Sequence, residues 1–311
     1  MSQLEENATE GLAPVAVFGF NRPAHLLECL RSLEANPDAR ETDVYVFLDG
    51  PRSQIDVEFV KSTRQIARGS FEFKSITITE QDTNLGLGHS IISGINRVLE
   101  TRNRLIVLED DLVVSNHFLS YMNSALTKYE YTKKVGSIHA FNFNFEQPLT
   151  EPYFIRGGDC LGWATWSDRW ELFTANAAIT YLKIRKSNQI KEFDLGGSFR
   201  YSQILRNEIR NGFHSWAINW HASLFINGCL TLYPGTSLIE YKGADGSGTH
   251  EVKNSDLWAT QMSTKSEWDF PSEICESKAG LSQLKKYYEK TYPSRIPLSK
   301  FVNWVRYKII S

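Results

Sequence analysis

The 311-residue sequence is poor in cysteine and nearly free of net charge. Its cysteines form no CxxC pair and no short spacing suited to zinc, so we expect buried, reduced thiols at Cys29, Cys160, Cys229 and Cys275. The 34 basic and 36 acidic side chains leave a formal charge of −2, which indicates no general field for binding nucleic acid. Hydrophobic residues make up 41% and charged residues 23%, proportions that exclude a disordered or fibrous chain.

Long apolar runs are also missing. The apolar stretches have the length of strands and are interrupted by charges, well short of the ~18 residues of a membrane-spanning helix. Residues 1–11 are polar and acidic, without the basic flank and apolar run of a signal peptide. We therefore expect no transmembrane segment, no export and a cytoplasmic location, with any membrane contact peripheral and at the inner face.

The pattern that is present alternates short apolar runs with segments of helical periodicity. Five runs are predicted to be strands: Ala13–Phe20, Val44–Leu48, Ser75–Thr79, Leu105–Leu108 and Val135–Ala140. Apolar residues between them recur at helical spacing, which is typical of βα units around a largely parallel sheet. We predict an α/β, Rossmann-like fold with a mostly parallel sheet flanked by helices, in one large domain with a C-terminal helical extension.

Polar residues follow the predicted strands at three places, where ligands of open α/β sheets bind. The sharpest signal is the acidic triplet Glu109-Asp110-Asp111, because three adjacent carboxylates repel one another unless a cation or several donors hold them. Oxygen ligands of this kind suit Mg²⁺ or Mn²⁺. The alternative is a solvated acidic turn that opens the following helix.

The other two places are Arg22 and Asp49. Arg22 offers a fixed fork that suits a phosphate or Asp49 itself. Asp49 suits the imide nitrogen of a uracil-like base, or else an Asx turn with Gly50. The glycine-rich segment 84–89 opens a predicted helix, so its free N–H groups are able to face an anion.

Taken in order, these elements resemble glycosyltransferases of the GT-A fold. The sequence around the triplet is similar to N-acetylglucosaminyltransferase I and more similar to bacterial polysaccharide-assembly transferases of the O-antigen and capsule type. The resemblance extends over roughly residues 14–250. Its motifs are Asn84–Gly88, Leu108–Leu112, Gly162–Trp166, Ser215-Trp216 with Trp220, Leu232–Gly235 and Asp245–His250.

The resemblance implies a role for each matching residue. Asp111 matches the acid that binds the metal, Mn²⁺ or Mg²⁺, while Glu109 and Asp110 match residues at the ribose and donor sugar. Further donor contacts are implied with the base and phosphate at Arg22 and Asp49, with the base at His89, and with the diphosphate or metal at His250.

The sequence departs from the family's pattern where a catalytic base is expected. In the animal relative and some bacterial ones, an Asp stands just inside the pair that matches Trp216 and Trp220. Here the intervening residues are Ala217, Ile218 and Asn219, none of which takes a proton. Either the reaction follows a different stereochemical course or the base comes from elsewhere, the candidates being Asp159, Asp194 and Asp245.

Aromatic residues raise two further expectations. Helical spacing places Trp216, Trp220 and Leu224 in the core, whereas Trp163 follows the Gly162 turn and is predicted to line the donor pocket. The basic and aromatic tail 285–310 is suited either to an interfacial helix on an anionic membrane or to a helix docked on the body. The tail residues concerned are Lys285, Lys286, Tyr287, Tyr288, Lys300, Phe301, Trp304, Arg306, Tyr307, Lys308 and Ile309.

The resemblance implies a metal-dependent hexosyl- or N-acetylhexosaminyltransferase that moves a sugar, with inversion, from a UDP-linked donor to a glycan or lipid-linked acceptor. We expect residues 13–145 to bind the nucleotide sugar, 146–250 to complete the pocket, and 251–311 to form an extension that docks on a membrane or partner. The alternatives are a sugar-phosphate nucleotidyltransferase and a catalytically silent glycan-binding scaffold. No nucleic-acid partner is expected.

Overall fold

The computed structural model describes residues 11–212, 215–245 and 260–292, which form an eight-stranded sheet, a two-stranded ribbon and the helices around them. The strands are β1 Val15–Gly19, β2 Asp43–Leu48, β3 Ser75–Glu80, β4 Arg104–Glu109, β5 Leu112–Val114, β6 Val135–His139, β7 Tyr153–Arg156, β8 Trp163–Trp166, β9 Leu230–Tyr233 and β10 Ile239–Tyr241. The α-helices are α1 Pro23–Glu34, α2 Val57–Ala67, α3 Leu87–Leu99, α4 Phe118–Tyr129, α5 Ser167–Trp170, α6 Ala177–Lys186, α7 Ile190–Phe193, α8 Tyr201–Asn211, α9 Trp216–Ile226 and α10 Lys278–Thr291. Short 3-10 helices span Pro37–Glu41 and Leu195–Gly197.

The large sheet has the strand order β3-β2-β1-β4-β8-β6-β9-β7. The strands β3, β2, β1 and β4 are mutually parallel, β8 is antiparallel to both neighbours, β9 is parallel to β6, and the edge strand β7 is antiparallel to β9. Strands from 13–145 and from 146–250 therefore hydrogen-bond into one sheet. The predicted α/β class, with a mostly parallel sheet flanked by helices, is confirmed.

Strand β1 occupies the centre of the parallel half and separates two buried layers. Val17 pairs with Val46 of β2 on one side and with Leu108 of β4 on the other. Its alternate neighbours face opposite layers, because successive side chains of a strand point to opposite faces. Val15 and Val17 belong to the layer of α1 and α4, whereas Ala16 and Phe18 belong to the layer of α3 and α9. The chain order reverses between β1 and β4, so the crevice beyond their carboxyl ends is the expected ligand position.

A tryptophan cluster fills the layer of α3 and α9. Trp163 stacks on Trp216 with ring centroids 5.5 Å apart and lies 5.5 Å from Trp220 and 5.9 Å from Trp170. The burial of Trp216, Trp220 and Leu224 confirms their prediction as core. Trp163 is also 0% exposed, which corrects its prediction as a donor-pocket residue. After the Gly162 turn, the Trp163 side chain enters the tryptophan cluster, because the cluster buries more of its apolar surface than an open pocket would.

The described part of the C-terminal extension is a helix that packs on the body. Gly280 of α10 lies so close to Tyr153 that an added Cβ would stand 2.4 Å from the ring. Tyr288 lies 4.4 Å from Phe199 between ring centroids. Residues 285–292 thus take the docked alternative, while the later tail residues lie outside the described part. Across the described residues, none of the helices combines the length and apolarity needed to cross a bilayer.

All four cysteines are free thiols. Cys29 and Cys229 are buried as predicted, Cys160 is half-buried, and Cys275 is exposed, which corrects the expectation of four buried thiols. Burial raises the pKa of Cys29, and the nearby carboxylates of Asp110 and Asp111 raise it further. Cys29 is therefore an inert thiol.

Candidate active site

The acidic triplet lies at the carboxyl end of β4, in the crevice beside β1. Glu109 is the last strand residue, and the Asp110 N–H still donates to the Phe18 carbonyl at 2.9 Å. On the other side, the Lys242 N–H donates to the Asp111 carbonyl at 2.9 Å, at the end of the β5–β10 ribbon. These two hydrogen bonds fix the turn of Asp110 and Asp111 between the large sheet and the β5–β10 ribbon. Asp110 is 3% exposed and Asp111 7%, so the triplet is not the solvated acidic turn that the sequence left open.

Arg22 holds the two buried carboxylates together. It stands between β1 and α1, where Pro23 begins the helix, and its guanidinium turns towards the end of β4. Its Nη1 donates to Asp111 Oδ2 at 3.0 Å, while Nη2 and Nε donate to the two oxygens of Asp110. Arg22 thus pairs with these acids and not with Asp49, the partner that the sequence left open.

The charges of this cluster depend on one another. Burial by itself lowers the pKa of Arg22, but the carboxylates of Asp110 and Asp111 outweigh that effect, so its pKa is raised and it stays a cation. Burial raises the pKa of Asp110, and the adjacent Asp111 adds to the rise while Arg22 opposes it. The site is therefore built to carry two adjacent negative groups only in the presence of positive charge.

The segment after β10 forms the wall facing Asp111. A Cβ added to Gly243 would lie 2.4 Å from Asp111 Oδ2 and 2.5 Å from the Tyr241 hydroxyl, so only glycine fits there without displacing one of them. Burial raises the pKa of Tyr241, and the charges of Asp111 and Glu109 raise it further, which keeps the phenol protonated. Next along the segment, Asp245 Oδ2 lies 3.3 Å from His25 Nε2 of α1.

Asp49 organises the loop that precedes α3. One carboxylate oxygen accepts the N–H groups of Gly50 at 2.9 Å and Leu85 at 2.8 Å, and the other accepts that of Gly86 at 2.9 Å. The buried carboxylate thus makes the Asx turn that the sequence offered as an alternative and ties the glycine-rich loop to β2. His89 is exposed in the first turn of α3. Its predicted contact with a base stays a prediction.

Asp159 lies on the turn that enters β8. Because β8 runs antiparallel to β4, residues just before it stand at the edge of the sheet where β4 ends. A Cβ added to Gly162 of this turn would touch Leu108 and Ile239 at 3.5 and 3.1 Å, which places the turn against the ends of β4 and β10. The Asp159 side chain is 18% exposed. It is therefore a partly accessible carboxylate at the same sheet edge.

The turn is supported from below by α9. His221 Nδ1 lies 2.8 Å from the Gly158 carbonyl, and its ring leaves no room for a Cβ at Gly157, whose φ is +96°. Burial lowers the pKa of His221, so the ring is neutral at pH 7 and donates through Nδ1. Ala217 stands one helical turn before His221, on the same side of α9 as the Asp159 turn.

The structure separates the three base candidates. Asp194 accepts the Ser202 N–H at 2.7 Å and the Ser202 hydroxyl at 2.6 Å, so it caps the start of α8. Burial raises its pKa and these hydrogen bonds oppose the rise. Asp245 lies beside His25 on the triplet side, and Asp159 lies on the β8 turn. His250 falls outside the described residues.

The described residues are suited to bind a divalent cation only if a bound substrate supplies the remaining metal ligands. Among residues 11–212, 215–245 and 260–292, no three His, Cys, Asp or Glu side chains are grouped to enclose a metal. Buried carboxylate oxygens beside Gly243 are nevertheless the hard donors that Mg²⁺ and Mn²⁺ prefer, and such ions commonly use one or two carboxylates plus substrate phosphates. Asp111 therefore fits as the protein ligand of a metal shared with a diphosphate.

No protein-family profile matches this chain, and no curated protein sequence matches it either. Among solved structures, S. aureus TarS 1–349 is similar with a TM-score of 0.39 and 10% identity, over 74% of this chain and 61% of that one. GalNAc-T7, solved with UDP, GalNAc and Mn²⁺, is similar with a TM-score of 0.42 and 10% identity, over 73% of this chain and 43% of that one. The chain spans less than two thirds of either structure, and likenesses this distant concern the fold alone.

Several site residues were missed by the sequence analysis. His25 and Gly243 become neighbours of the triplet only through the packing of α1 and the β5–β10 ribbon. Tyr233 and His221 reach the Asp159 turn from β9 and α9. Their only sequence signal is proximity to motifs, since Tyr233 lies in Leu232–Gly235 and Gly243 shortly precedes Asp245.

Proposed function

We propose that this chain is a metal-dependent glycosyltransferase of the GT-A type, which transfers a hexosyl or N-acetylhexosaminyl group from a UDP-linked donor to a glycan or lipid-linked acceptor. The observation that carries the proposal is the buried Asp110–Asp111 pair, held by Arg22 at the β1–β4 crevice. A buried pair of acids at this position is costly to keep without a function that uses its charge.

Each group has a role in this proposal. Asp111 holds Mn²⁺ or Mg²⁺, which when bound neutralises the charge that develops on the diphosphate leaving group. Glu109 and Asp110 face the ribose and donor sugar, and Arg22 is the cation nearest to both acids and to the incoming diphosphate. Asp49 holds the glycine-rich loop in place for the base, with His89 and His250 as further donor contacts.

Asp159 is the proposed catalytic base. Its partly exposed carboxylate lies on the turn before β8, at the edge of the sheet where β4 also ends, within the half that is expected to complete the pocket. There it takes the proton of the acceptor hydroxyl as the new glycosidic bond forms, which suits an inverting transfer. Asp194 is less suited because both of its hydrogen bonds go to Ser202, so that it serves to cap the start of α8.

The alternatives are less well supported. A nucleotidyltransferase core opens with a glycine-rich phosphate loop after its first strand, whereas here β1 ends at Gly19 and α1 begins at Pro23 with no such loop between them. A silent scaffold has no use for a third carboxylate, Asp159, at the sheet edge that carries Asp110 and Asp111. Cytoplasmic placement and peripheral membrane contact through residues 293–311 stay predictions.

Calorimetric titration with UDP and Mn²⁺ tests the donor site. Wild-type protein is expected to bind UDP in a Mn²⁺-dependent manner, and Asp111→Asn is expected to lose that dependence while keeping its melting temperature. Release of UDP from UDP-glucose, UDP-galactose and UDP-N-acetylglucosamine then separates an enzyme from a scaffold. Binding of a glycan without any affinity for UDP would overturn the proposal.

The proposed base is tested by removing the carboxylate at position 159 and introducing one at position 217. Asp159→Asn is expected to lower UDP release at least 100-fold with unchanged UDP binding, since general base catalysis contributes about 10²–10⁴-fold. Because Ala217 stands one helical turn before His221, which contacts the Asp159 turn, Ala217→Asp added to Asp159→Asn is expected to restore part of the rate. Asp194→Asn is the matched control and keeps the rate, while full activity of Asp159→Asn would remove Asp159 as the base.

A further inference from the structure

The carboxylate of Asp159 is held by a donor on each oxygen. Its Oδ1 accepts the N–H of Cys160 at 2.7 Å, and its Oδ2 accepts the hydroxyl of Tyr233 at 3.0 Å. A carboxylate oxygen has two lone pairs and accepts from more than one donor. The arrangement fixes the carboxyl plane and leaves the group able to take a proton.

Tyr233 is itself held firmly. Its ring stacks on Tyr153 with centroids 5.7 Å apart and meets the edge of His139 at 4.8 Å. Burial and the charge of Asp159 raise the pKa of Tyr233 well above its usual value, so the phenol stays a proton donor throughout the working pH range. A rigid donor of this kind stabilises the ionised carboxylate more than the protonated one.

We propose that Tyr233 is a positioning residue, which orients the Asp159 carboxylate and favours its ionised form, so that it is ready to accept a proton from the acceptor. The inference rests on the proposed function only in naming the acceptor substrate as the source of the proton. The effect of Tyr233 on Asp159 follows from the contact itself. Neither the resemblance nor the motifs assign a role to this tyrosine.

The other groups around Asp159 do not replace this donor. His139 Nε2 lies 3.7 Å from Asp159 Oδ1 but accepts the Leu161 N–H at 3.2 Å, so that nitrogen carries no proton towards the carboxylate. The charge of Asp159 also raises the pKa values of groups on four neighbouring elements. They are Tyr153 of β7, Tyr201 of α8 and Tyr288 of α10, together with His221 of α9, where burial outweighs the effect.

Removing the hydroxyl of Tyr233 tests the proposal. Tyr233→Phe is expected to raise the titration midpoint of Asp159 by about one pH unit, because hydrogen bonds to charged groups stabilise the charged form by that order. The midpoint is measured by ¹³C NMR of Asp-labelled protein, with the Asp159 signal assigned by its loss in Asp159→Asn. The measurement needs neither donor nor metal.

Tyr153→Phe is the matched control. It removes a hydroxyl from the neighbouring ring of the same stack, but that hydroxyl donates to Asn142 at 2.8 Å and not to Asp159. The control is expected to leave the midpoint unchanged. An unchanged midpoint in Tyr233→Phe, or an equal rise in both variants, would overturn the proposal.

Two further measurements test the role of Tyr233. If Tyr233→Phe folds poorly, site-specific 3-fluorotyrosine at 233, a stronger donor, is expected to lower the midpoint, and no change would again overturn the proposal. In the UDP-release assay, Tyr233→Phe is expected to shift the acidic limb of the pH profile upwards and to recover its rate at higher pH. Wild-type UDP release by Asp159→Asn would instead refute the base in the proposed function, whatever the midpoint.

Discussion

Replacing Gly243 with alanine is a sharp test of the acidic site, because the change adds one methyl group at a known position. That carbon would stand 2.4 Å from Asp111 Oδ2 and 2.5 Å from the Tyr241 hydroxyl. The backbone at Gly243 is not in the left-handed region, so alanine meets no conformational strain there. The perturbation is therefore confined to the wall of the site.

The size of the effect follows from the contact distance. Ordinary van der Waals contact begins at about 3.4 Å, so the Asp111 oxygen must retreat by about 1 Å or push the 243 segment outwards. Metal sites tolerate deviations of only about 0.2 Å in their ligand distances. We expect a loss of 10–100-fold in Mn²⁺-dependent affinity for UDP, a range typical of disturbed groups around metal ligands. That loss corresponds to about 1.4–2.7 kcal/mol.

The assay is calorimetric titration with UDP at fixed Mn²⁺, repeated with EDTA to give the metal-independent baseline. Gly11→Ala is the control, because an added Cβ there has nothing within 4 Å. In Asp111→Asn, the further change Gly243→Ala is expected to have little effect, since the displaced ligand is already gone. Wild-type affinity in Gly243→Ala would contradict the restraint of Asp111 by Gly243, and Mn²⁺-dependent affinity kept in Asp111→Asn would refute Asp111 as the metal ligand.

Three other predictions concern stability and reactivity. Asp49→Asn is expected to cost about 1.5–3 kcal/mol in urea denaturation, because an amide N–H₂ then faces a backbone donor; a cost below about 0.5 kcal/mol would contradict the loop-anchoring role. His221 has a lowered folded pKa, so the stability linked to its neutral form is complete above pH 6.5 and is lost as pH falls below that value. The loss amounts to at most about 1.4 kcal/mol per pH unit, and His221→Gln should lack this component of the pH dependence measured by denaturation. With a thiol reagent, Cys275 is expected to react in the folded protein and Cys29 only after unfolding; early labelling of Cys29, read by peptide mass spectrometry, would contradict its burial.

The strands and helices of the parallel half could be predicted because their signal is local. Alternation of apolar runs with helical periodicity places β1 to β4 within a residue or two of the observed bounds. The largest difference is at β1, predicted as Ala13–Phe20 and observed as Val15–Gly19. Strands β5, β7, β8, β9 and β10 were missed, since each has only three or four residues. A run that short carries no periodicity, and only its pairing partner makes it a strand.

The acidic triplet and Arg22 could be named from the sequence because both directly follow strands, and parallel strands bring their carboxyl ends to one edge. Their mutual pairing could not, since the same rule fits Arg22 with Asp49 equally well. The prediction for Trp163 was wrong for a related reason. A turn before a strand does not tell which face the next side chain takes, and here the face is decided by Trp216 and Trp220 from a distant helix.

The sequence by itself determined the α/β class, the position of the acids at a strand end and the lack of an Asp between Trp216 and Trp220, because each is a property of neighbouring residues. Only the tertiary structure decided that Arg22 joins Asp110 to Asp111, that Gly243 walls the site, and that Tyr233 and His221 hold the Asp159 turn. These contacts join residues far apart in the chain, and their geometry depends on how sheet and helices pack, which no local pattern encodes.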